Sequence, residues 1–556
     1  AMQTPFTINL MTGLYRLACR SNHDAEIDVR DEQLETVAAL TGRRPVVFLV
    51  THKSMLDTAA LSLVLFDADL PLPLTFGGIN LNTPGIGALA RRAGIIFLRR
   101  SFQDNETYKA TFRRYIDYLI EKRFSLLWAL EGTRSRTGKL LPPRFGLFNY
   151  VVGSILRTGL DNVAFVPVSV AYDQITEVED YALEQGGRDK KPEGAGWMLR
   201  FFRRGKSHGR IFVRFGEALS VGDVAPGLTL TPTLAEDDKT ALVQQLALRA
   251  AVAMNAATPI TATAIITLIL LAGGNRAQSL GEIQTLARAG AAMIRRRRLE
   301  IVGHSDFRKD DDVKATLAQL HATGIVSFLD EGIERLYAIR PDQHLKAAYY
   351  RNTAIHYFVL DALVEIALLE AAALDVGDQI EAFYATAERL RELFKFEFYF
   401  PRRAEFRGEI ERRVGGRMRD WQAAIPRGET AMRAALQEVR PLLAHGVLRS
   451  FTDAYAIVAE MLAAKGDAGI DDDAAFIADC LRLGRQRLLQ DRVFSAESVS
   501  KSLYATGLRL ARYRGLDTAG CSSGRRDFVG ELERLNGYLD DILHVTLSAA
   551  RALRRH

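Results

Sequence analysis

Short apolar runs alternate with amphipathic stretches through the first part of the chain. The runs are Val46–Val50, Leu74–Phe76, Ile95–Leu98, Leu126–Leu130, Val163–Val170 and Arg210–Phe215. Brief β-rich runs bounded by turn residues read as buried strands. Stretches such as Tyr108–Lys122 between them carry the helical period. That alternation predicts an α/β domain over residues 46–224, a mixed sheet flanked by helices. Residues 225–238 are rich in Pro, Thr and Asp and read as a linker. Residues 239–556 are mostly α-helical by pattern, a large C-terminal region without a fixed-period repeat. Within it, residues 260–340 suggest helices followed by strands at Ile325–Phe328 and Arg335–Ala338, a winged-helix-like part. The aromatic alternation of Phe394–Phe400 predicts a short strand with one aromatic face. Residues 1–45 read as a helical segment, with Phe6, Leu10 and Leu14 expected to pack on a core rather than lie on a bilayer.

Composition narrows the picture only a little. Hydrophobic residues make up 48% and charged residues 25% of the 556, ordinary values for globular proteins. The net charge of +6 favours phosphate-bearing partners without choosing among anionic lipid, nucleotide-like cofactor and nucleic acid. The three cysteines, Cys19, Cys480 and Cys521, have no metal-ligand spacing, and no disulfide framework is expected. The longest apolar stretch, Pro259–Ala272, is shorter than the ~20 residues a spanning helix needs. No signal peptide is expected from the opening residues.

Four blocks carry chemistry. Directly after the run Val46–Val50 comes Thr51-His52-Lys53-Ser54-Met55-Leu56-Asp57. It puts an imidazole at the carboxyl end of a strand with a carboxylate close by. A carboxylate held at one ring nitrogen sets the tautomer and makes the other nitrogen a better base. The second block runs from Gly77-Gly78-Ile79-Asn80-Leu81-Asn82 to Phe97-Leu98-Arg99-Arg100; its two guanidinium forks suit phosphate oxygens. The third, Glu131-Gly132-Thr133-Arg134-Ser135-Arg136-Thr137-Gly138-Lys139, gathers an acid, hydroxyls and cations fit for a phosphorylated polyol. It lacks the spacing of a Walker A loop. The fourth, Val163–Tyr172, is an apolar strand interrupted by Pro167, which predicts an edge strand or a bulge.

In order and spacing, these blocks resemble the glycerolipid acyltransferase superfamily, and more closely the bacterial PlsB-type glycerol-3-phosphate 1-O-acyltransferases. Tyr349-Tyr350-Arg351-Asn352, Phe394-Lys395-Phe396-Glu397-Phe398 and Glu497-Ser498-Val499-Ser500-Lys501 extend the resemblance through the helical half. The family often has Arg where Lys53 stands, so the charge is kept and the fork is lost.

The resemblance implies transfer of a fatty acyl group from acyl-CoA or acyl-carrier protein to the sn-1 hydroxyl of glycerol 3-phosphate, giving lysophosphatidic acid. Dihydroxyacetone phosphate or lysophosphatidate as acceptor, or a catalytically silent lipid-binding protein, are the alternatives. By the resemblance, His52 is the general base and Asp57 orients it. Lys53, Ser54, Arg99, Arg100, Glu131, Gly132, Thr133, Arg134 and Ser135 belong to the glycerol-phosphate site, and Pro167 to the acyl-donor side. No metal or cofactor is expected beyond the acyl co-substrate. The expected partners include an anionic lipid surface, at the cytoplasmic face of a membrane, and exclude nucleic acid.

Overall fold

The computed structural model describes residues 3–79, 86–99, 105–189, 208–303, 307, 309–330, 334–375 and 377–553, with side chains for all but residues 86 and 548–553. It divides into two compact units. The first comprises residues 1–135, 140–177 and 192–259; the second comprises 136–139, 178–191 and 260–556.

The first unit is built on a seven-stranded sheet: β1 (Ile27–Val29), β2 (Val46–Val50), β3 (Leu74–Gly78), β4 (Ile95–Leu98), β5 (Leu126–Ala129), β6 (Ala164–Tyr172) and β7 (Ile211–Phe215), in the order β1-β7-β6-β2-β5-β3-β4. All neighbours run parallel except β6 and β7, which makes the sheet mixed. Every residue of β2 is buried, as expected of a strand covered on both faces. Its position between β5 and β6 brings the carboxyl ends of those two strands to either side of its own.

The helices are α1 (Pro5–Arg20), α2 (Asp31–Thr41), α3 (Asp57–Asp67), α4 (Ile86–Arg92), α5 (Glu106–Glu121) and α6 (Gly146–Thr158). Asn105 caps α5 by accepting the Tyr108 amide at 2.8 Å, and Gly159, at φ +71°, ends α6 in the left-handed region. A further helix, Glu236–Ala257, turns Leu242, Val243, Leu246, Ala250 and Met254 inward and packs against β6. The linker-like residues 225–238 therefore lie within this unit.

One expectation is narrowed to one of its two alternatives and another is corrected here. Pro167 does not mark an edge, because β6 has neighbours on both sides. It sits at a bulge. Val168 pairs with Phe215 while Phe165 bridges Leu219, so three steps on β6 match four on the partner chain. The missing amide falls where the register shifts. Nor is the apolar stripe of α1 core. Phe6 is 76% exposed and Leu17 61%, with Leu10 and Leu14 also exposed. The buried side of α1 is Thr7, Thr12 and Cys19. The Thr7 hydroxyl donates to the Arg92 carbonyl (2.6 Å) and that of Thr12 to the Ile8 carbonyl (3.0 Å), so both polar groups are satisfied indoors.

The second unit is largely helical. Where a winged-helix-like part is expected, it has helices Ala262–Ala272, Leu280–Arg296 and Asp310–Ala322 and an antiparallel sheet of Gln278–Ser279, Ser327–Leu329 and Leu336–Ala338. The stretch after Phe394 forms a turn and not the expected aromatic strand. There the Glu397 carboxylate is buried between Lys139 and Tyr455. Residues 136–139 are built into this unit. Arg136 Nε donates to Glu184 Oε2 (2.7 Å), and Asn352 Nδ2 donates to the Thr137 carbonyl (2.9 Å). Gly138 has φ +83°, and a Cβ there would lie 2.0 Å from the Tyr349 carbonyl oxygen. No other residue fits that approach. The family-like stretches at Tyr349–Asn352 and Phe394–Phe398 thus converge on residues 137–139.

Candidate active site

The loop leaving β2 is held by three carboxylates from three parts of the chain. Asp57, in the first turn of α3, folds its side chain back on that loop. Its Oδ2 accepts the amides of Lys53 (2.5 Å) and Ser54 (3.0 Å), and its Oδ1 accepts the Tyr172 hydroxyl (2.6 Å). Glu131, just past β5, accepts the His52 amide on Oε1 (2.7 Å) and the Leu141 amide on Oε2 (2.8 Å). Glu177, beyond β6, accepts the Ser54 hydroxyl (2.9 Å) and the Met55 amide (3.0 Å) on Oε1. The His52 carbonyl in turn accepts the Ser135 amide (2.7 Å).

This frame aims one side chain. His52 Nδ1 lies 3.6 Å from Asp57 Oδ2, with the His52 side chain 28% exposed and that of Asp57 1%. The separation exceeds a hydrogen bond, yet catalytic pairs often tighten only when substrate binds. With Nδ1 turned to Asp57, Nε2 is the nitrogen left for a substrate proton.

Burial sets the electrostatics. It raises the Glu131 carboxyl to about 8, against the opposing pull of the Leu141 and His52 amides and of Lys53. It also raises Glu177 and lowers the Lys53 ammonium, which Glu131 and Asp57 pull back up. The Tyr172 hydroxyl is driven far above its ordinary value by burial and by Asp57, so it serves as a donor to that carboxylate.

The Glu131 shift gives a test with a definite sign. An unfolded glutamate ionises near ~4.3. Above that pH the native chain retains a proton that the unfolded chain has lost, until Glu131 itself ionises at about 8. The stability from this group is full below the unfolded value and is lost as pH rises through that window. Urea unfolding midpoints are therefore expected to fall less steeply between pH 5 and ~8.5 in Glu131→Gln than in wild type. The same variant is expected to cost about 1–3 kcal/mol near neutral pH, because one of two amide donors loses its acceptor.

Of the residues singled out in the sequence, His52, Lys53, Ser54, Asp57, Glu131 and Ser135 come together here. Arg134 is buried and stands close enough to Glu177 to draw its carboxyl down. Gly132 and Thr133 are exposed. Arg99 follows β4, three strand positions from β2 and so about 14 Å away at sheet spacing; its guanidinium lies over the Tyr108 ring at 5.5 Å. Asn80, Leu81, Asn82, Gly85, Arg100 and Ser101 lie outside the described residues. Pro167 sits inside β6, level with Leu49, and its carbonyl accepts the Gly216 amide (2.7 Å).

Sequence reasoning missed Tyr172 and Glu177. No signal in the sequence pointed to them: Tyr172 ends β6, and only the strand order, with β6 beside β2, brings it to the end of the sheet where His52 emerges. Among the described residues, no group of three or more His, Cys, Asp or Glu is placed to hold a metal ion. No described helix is long and apolar enough to cross a membrane.

Comparison with known proteins shows the family. The glycerol-3-phosphate acyltransferase C-terminal region matches residues 181–518, and the acyltransferase family matches residues 26–171. Proteins of Mycobacterium bovis and Mycobacterium tuberculosis, provisionally named acyltransferase plsB1, are 37% identical over 517 residues, covering 91% of this chain and 82% of theirs. The solved 1-acyl-sn-glycerophosphate acyltransferase PlsC from Thermotoga maritima is 15% identical over 44% of this chain and 79% of its own, with a TM-score of 0.27, too low to argue from. On the strength of the matched helical region and the near full-length relatives, the chain belongs to the PlsB-type glycerol-3-phosphate acyltransferase family.

Proposed function

We propose that the protein transfers a fatty acyl group from acyl-CoA or acyl-carrier protein to the sn-1 hydroxyl of glycerol 3-phosphate. The observation that carries this reading is the partly open His52 imidazole. Its Nδ1 faces a carboxylate fixed by two amides and a tyrosine hydroxyl. His52 Nε2 takes the hydroxyl proton as the oxygen attacks the thioester carbonyl, and Asp57 stabilises the imidazolium. The tetrahedral intermediate then collapses, the C–S bond breaks, and the thiolate leaves with the proton returned by His52. The products are lysophosphatidic acid and the free thiol. No protein nucleophile, metal or prosthetic group enters this scheme. Arg134 is the first candidate for the phosphate, with Arg99 and Arg100 as further cations. The decisive assay supplies radiolabelled glycerol 3-phosphate with palmitoyl-CoA and, separately, palmitoyl-carrier protein. Lysophosphatidate is the expected product, and its absence with both donors from folded protein would sink the proposal.

The exposed stripe Phe6, Leu10, Leu14 and Leu17 supports a peripheral seat on a lipid surface, since exposed apolar residues along one helix face suit the acyl boundary of a bilayer. Co-sedimentation with phosphatidylglycerol vesicles is expected to weaken at least ten-fold in Phe6→Glu/Leu10→Glu, with activity in detergent retained. Unchanged sedimentation would assign lipid contact elsewhere.

A further inference from the structure

The third sequence block is divided between the two units. Residues 131–135 belong to the first, residues 136–139 to the second, and the chain returns to the first at Leu140. The stretches on either side of 136–139 are tied beside His52. The Ser135 amide donates to the His52 carbonyl, and Glu131 accepts the amides of His52 and Leu141. Residues 136–139 are tied instead by side chains of the second unit, and none of those ties takes part in the proton transfer described above.

A lysine in a loop ordinarily faces water. Here Lys139 is 9% exposed and Glu397 8%. The Lys139 ammonium pairs with Glu397 Oε2 and stands 4.6 Å from the centre of the Phe451 ring and 5.1 Å from that of Phe398. The other Glu397 oxygen accepts the Tyr455 hydroxyl (3.1 Å). Lys139, read in the sequence among cations for a phosphate, is thus turned to a protein carboxylate. Asn352 makes a second tie. Its Oδ1 accepts Arg351 Nε (3.1 Å) and Nη2 (2.9 Å). A guanidinium only donates, so Nδ2 is the end left for the Thr137 carbonyl (2.9 Å). Arg351 is itself held by both oxygens of Glu497 (2.9 and 2.8 Å). Removing one member of a buried ion pair is costly because the other stays buried and unpaired, whereas replacing both by apolar groups is often tolerated.

We infer that Glu397 and Asn352 are positioning residues for the acceptor: by fixing residues 137–139 they hold the adjoining Arg134 and Ser135 in the conformation that binds a phosphorylated polyol. The link is the covalent chain, since Ser135 and Leu141 lie only two residues from Thr137 and Lys139. The inference rests on the acyl-transfer reading for the identity of the acceptor. On that reading Arg134 meets the phosphate, away from the hydroxyl that reacts. A contact of that kind is equal in ground and transition states, so its loss raises KM and leaves kcat in place.

The test joins steady-state kinetics, with glycerol 3-phosphate and palmitoyl-CoA, to amide hydrogen exchange over residues 130–142, on the full chain. Glu397→Leu leaves the Lys139 ammonium buried without its anion. It is expected to raise KM for glycerol 3-phosphate about ten-fold or more, with kcat and the palmitoyl-CoA KM within about three-fold of wild type. Exchange over residues 130–142 is expected to quicken about ten-fold or more. Lys139→Met/Glu397→Leu puts apolar side chains among the same rings and is expected to bring both readouts back to within about three-fold of wild type. A merely structural defect lowers the active fraction, and so kcat, without moving KM. Should Glu397→Leu fail to fold, Asn352→Ser decides by the same two readouts, with an expected rise in KM of about five-fold for one lost hydrogen bond. Wild type that makes no lysophosphatidate sinks the acyl-transfer reading, and the exchange comparison then decides the inference by itself. Unchanged KM in an active variant, or unchanged exchange over residues 130–142, overturns it.

Discussion

His52→Ala is expected to lower kcat/KM for acyl transfer by about 10³-fold, within the ~10²–10⁴ that a general base supplies, and to leave the fold in place. The two halves of this expectation come from different atoms of one residue. Structurally, His52 acts through its main chain: its amide donates to Glu131 and its carbonyl accepts the Ser135 amide. Alanine keeps both bonds. The ring is partly exposed and stops 3.6 Å short of Asp57, so its removal leaves no broken hydrogen bond. Asp57 still receives two amides and the Tyr172 hydroxyl. The melting temperature should therefore shift little while turnover collapses. An alanine variant retaining more than a tenth of wild-type kcat/KM would show that the proton leaves by another route.

How far this site was legible in the sequence depends on what each residue does. The strands declared themselves because β2, β5 and β6 are covered on both faces: β2 and β5 read as unbroken apolar runs and β6 as a nearly continuous one. His52 and Asp57 stood out because one follows such a run and the other lies five residues on. Glu131 was visible as part of a polar loop, and its type suggested contact with a polyol. In the structure it is 1% exposed and its two oxygens hold backbone amides, a task that residue type alone does not announce. Tyr172 and Glu177 were out of reach for a different reason. They meet the His52 loop only because β6 lies beside β2, and strand order is set by long-range packing. The stripe on α1 shows a third kind of limit. A 3.6-residue period identifies a face without saying which way it turns. Here Thr7 and Thr12 bury by bonding to carbonyls, and the leucines are left outside.

Asp57→Asn is the second large effect, and it should damage both chemistry and fold. The carboxylate is 1% exposed and receives three donors, the amides of Lys53 and Ser54 and the hydroxyl of Tyr172, while it faces His52 Nδ1. An asparagine offers one acceptor oxygen and one NH₂, so it must point N–H groups at one set of these donors. If the NH₂ replaces Oδ2, the two loop amides lose their acceptor and the His52 loop loosens. If it replaces Oδ1, the Tyr172 hydroxyl loses its acceptor and the ring no longer has an anion beside it. Either way about 1–3 kcal/mol of stability should go. A fall in kcat of about 10²-fold or more should accompany it, since a neutral amide cannot stabilise the imidazolium. Tyr172→Phe separates the two contributions. It removes only the Oδ1 partner, leaves the charge facing His52, and so should cost less than ten-fold in kcat. Asp57→Asn with near wild-type kcat would mean that Asp57 serves the loop alone. Tyr172→Phe as damaging as Asp57→Asn would mean that the hydroxyl, and not the charge, keeps this carboxylate in register with the base.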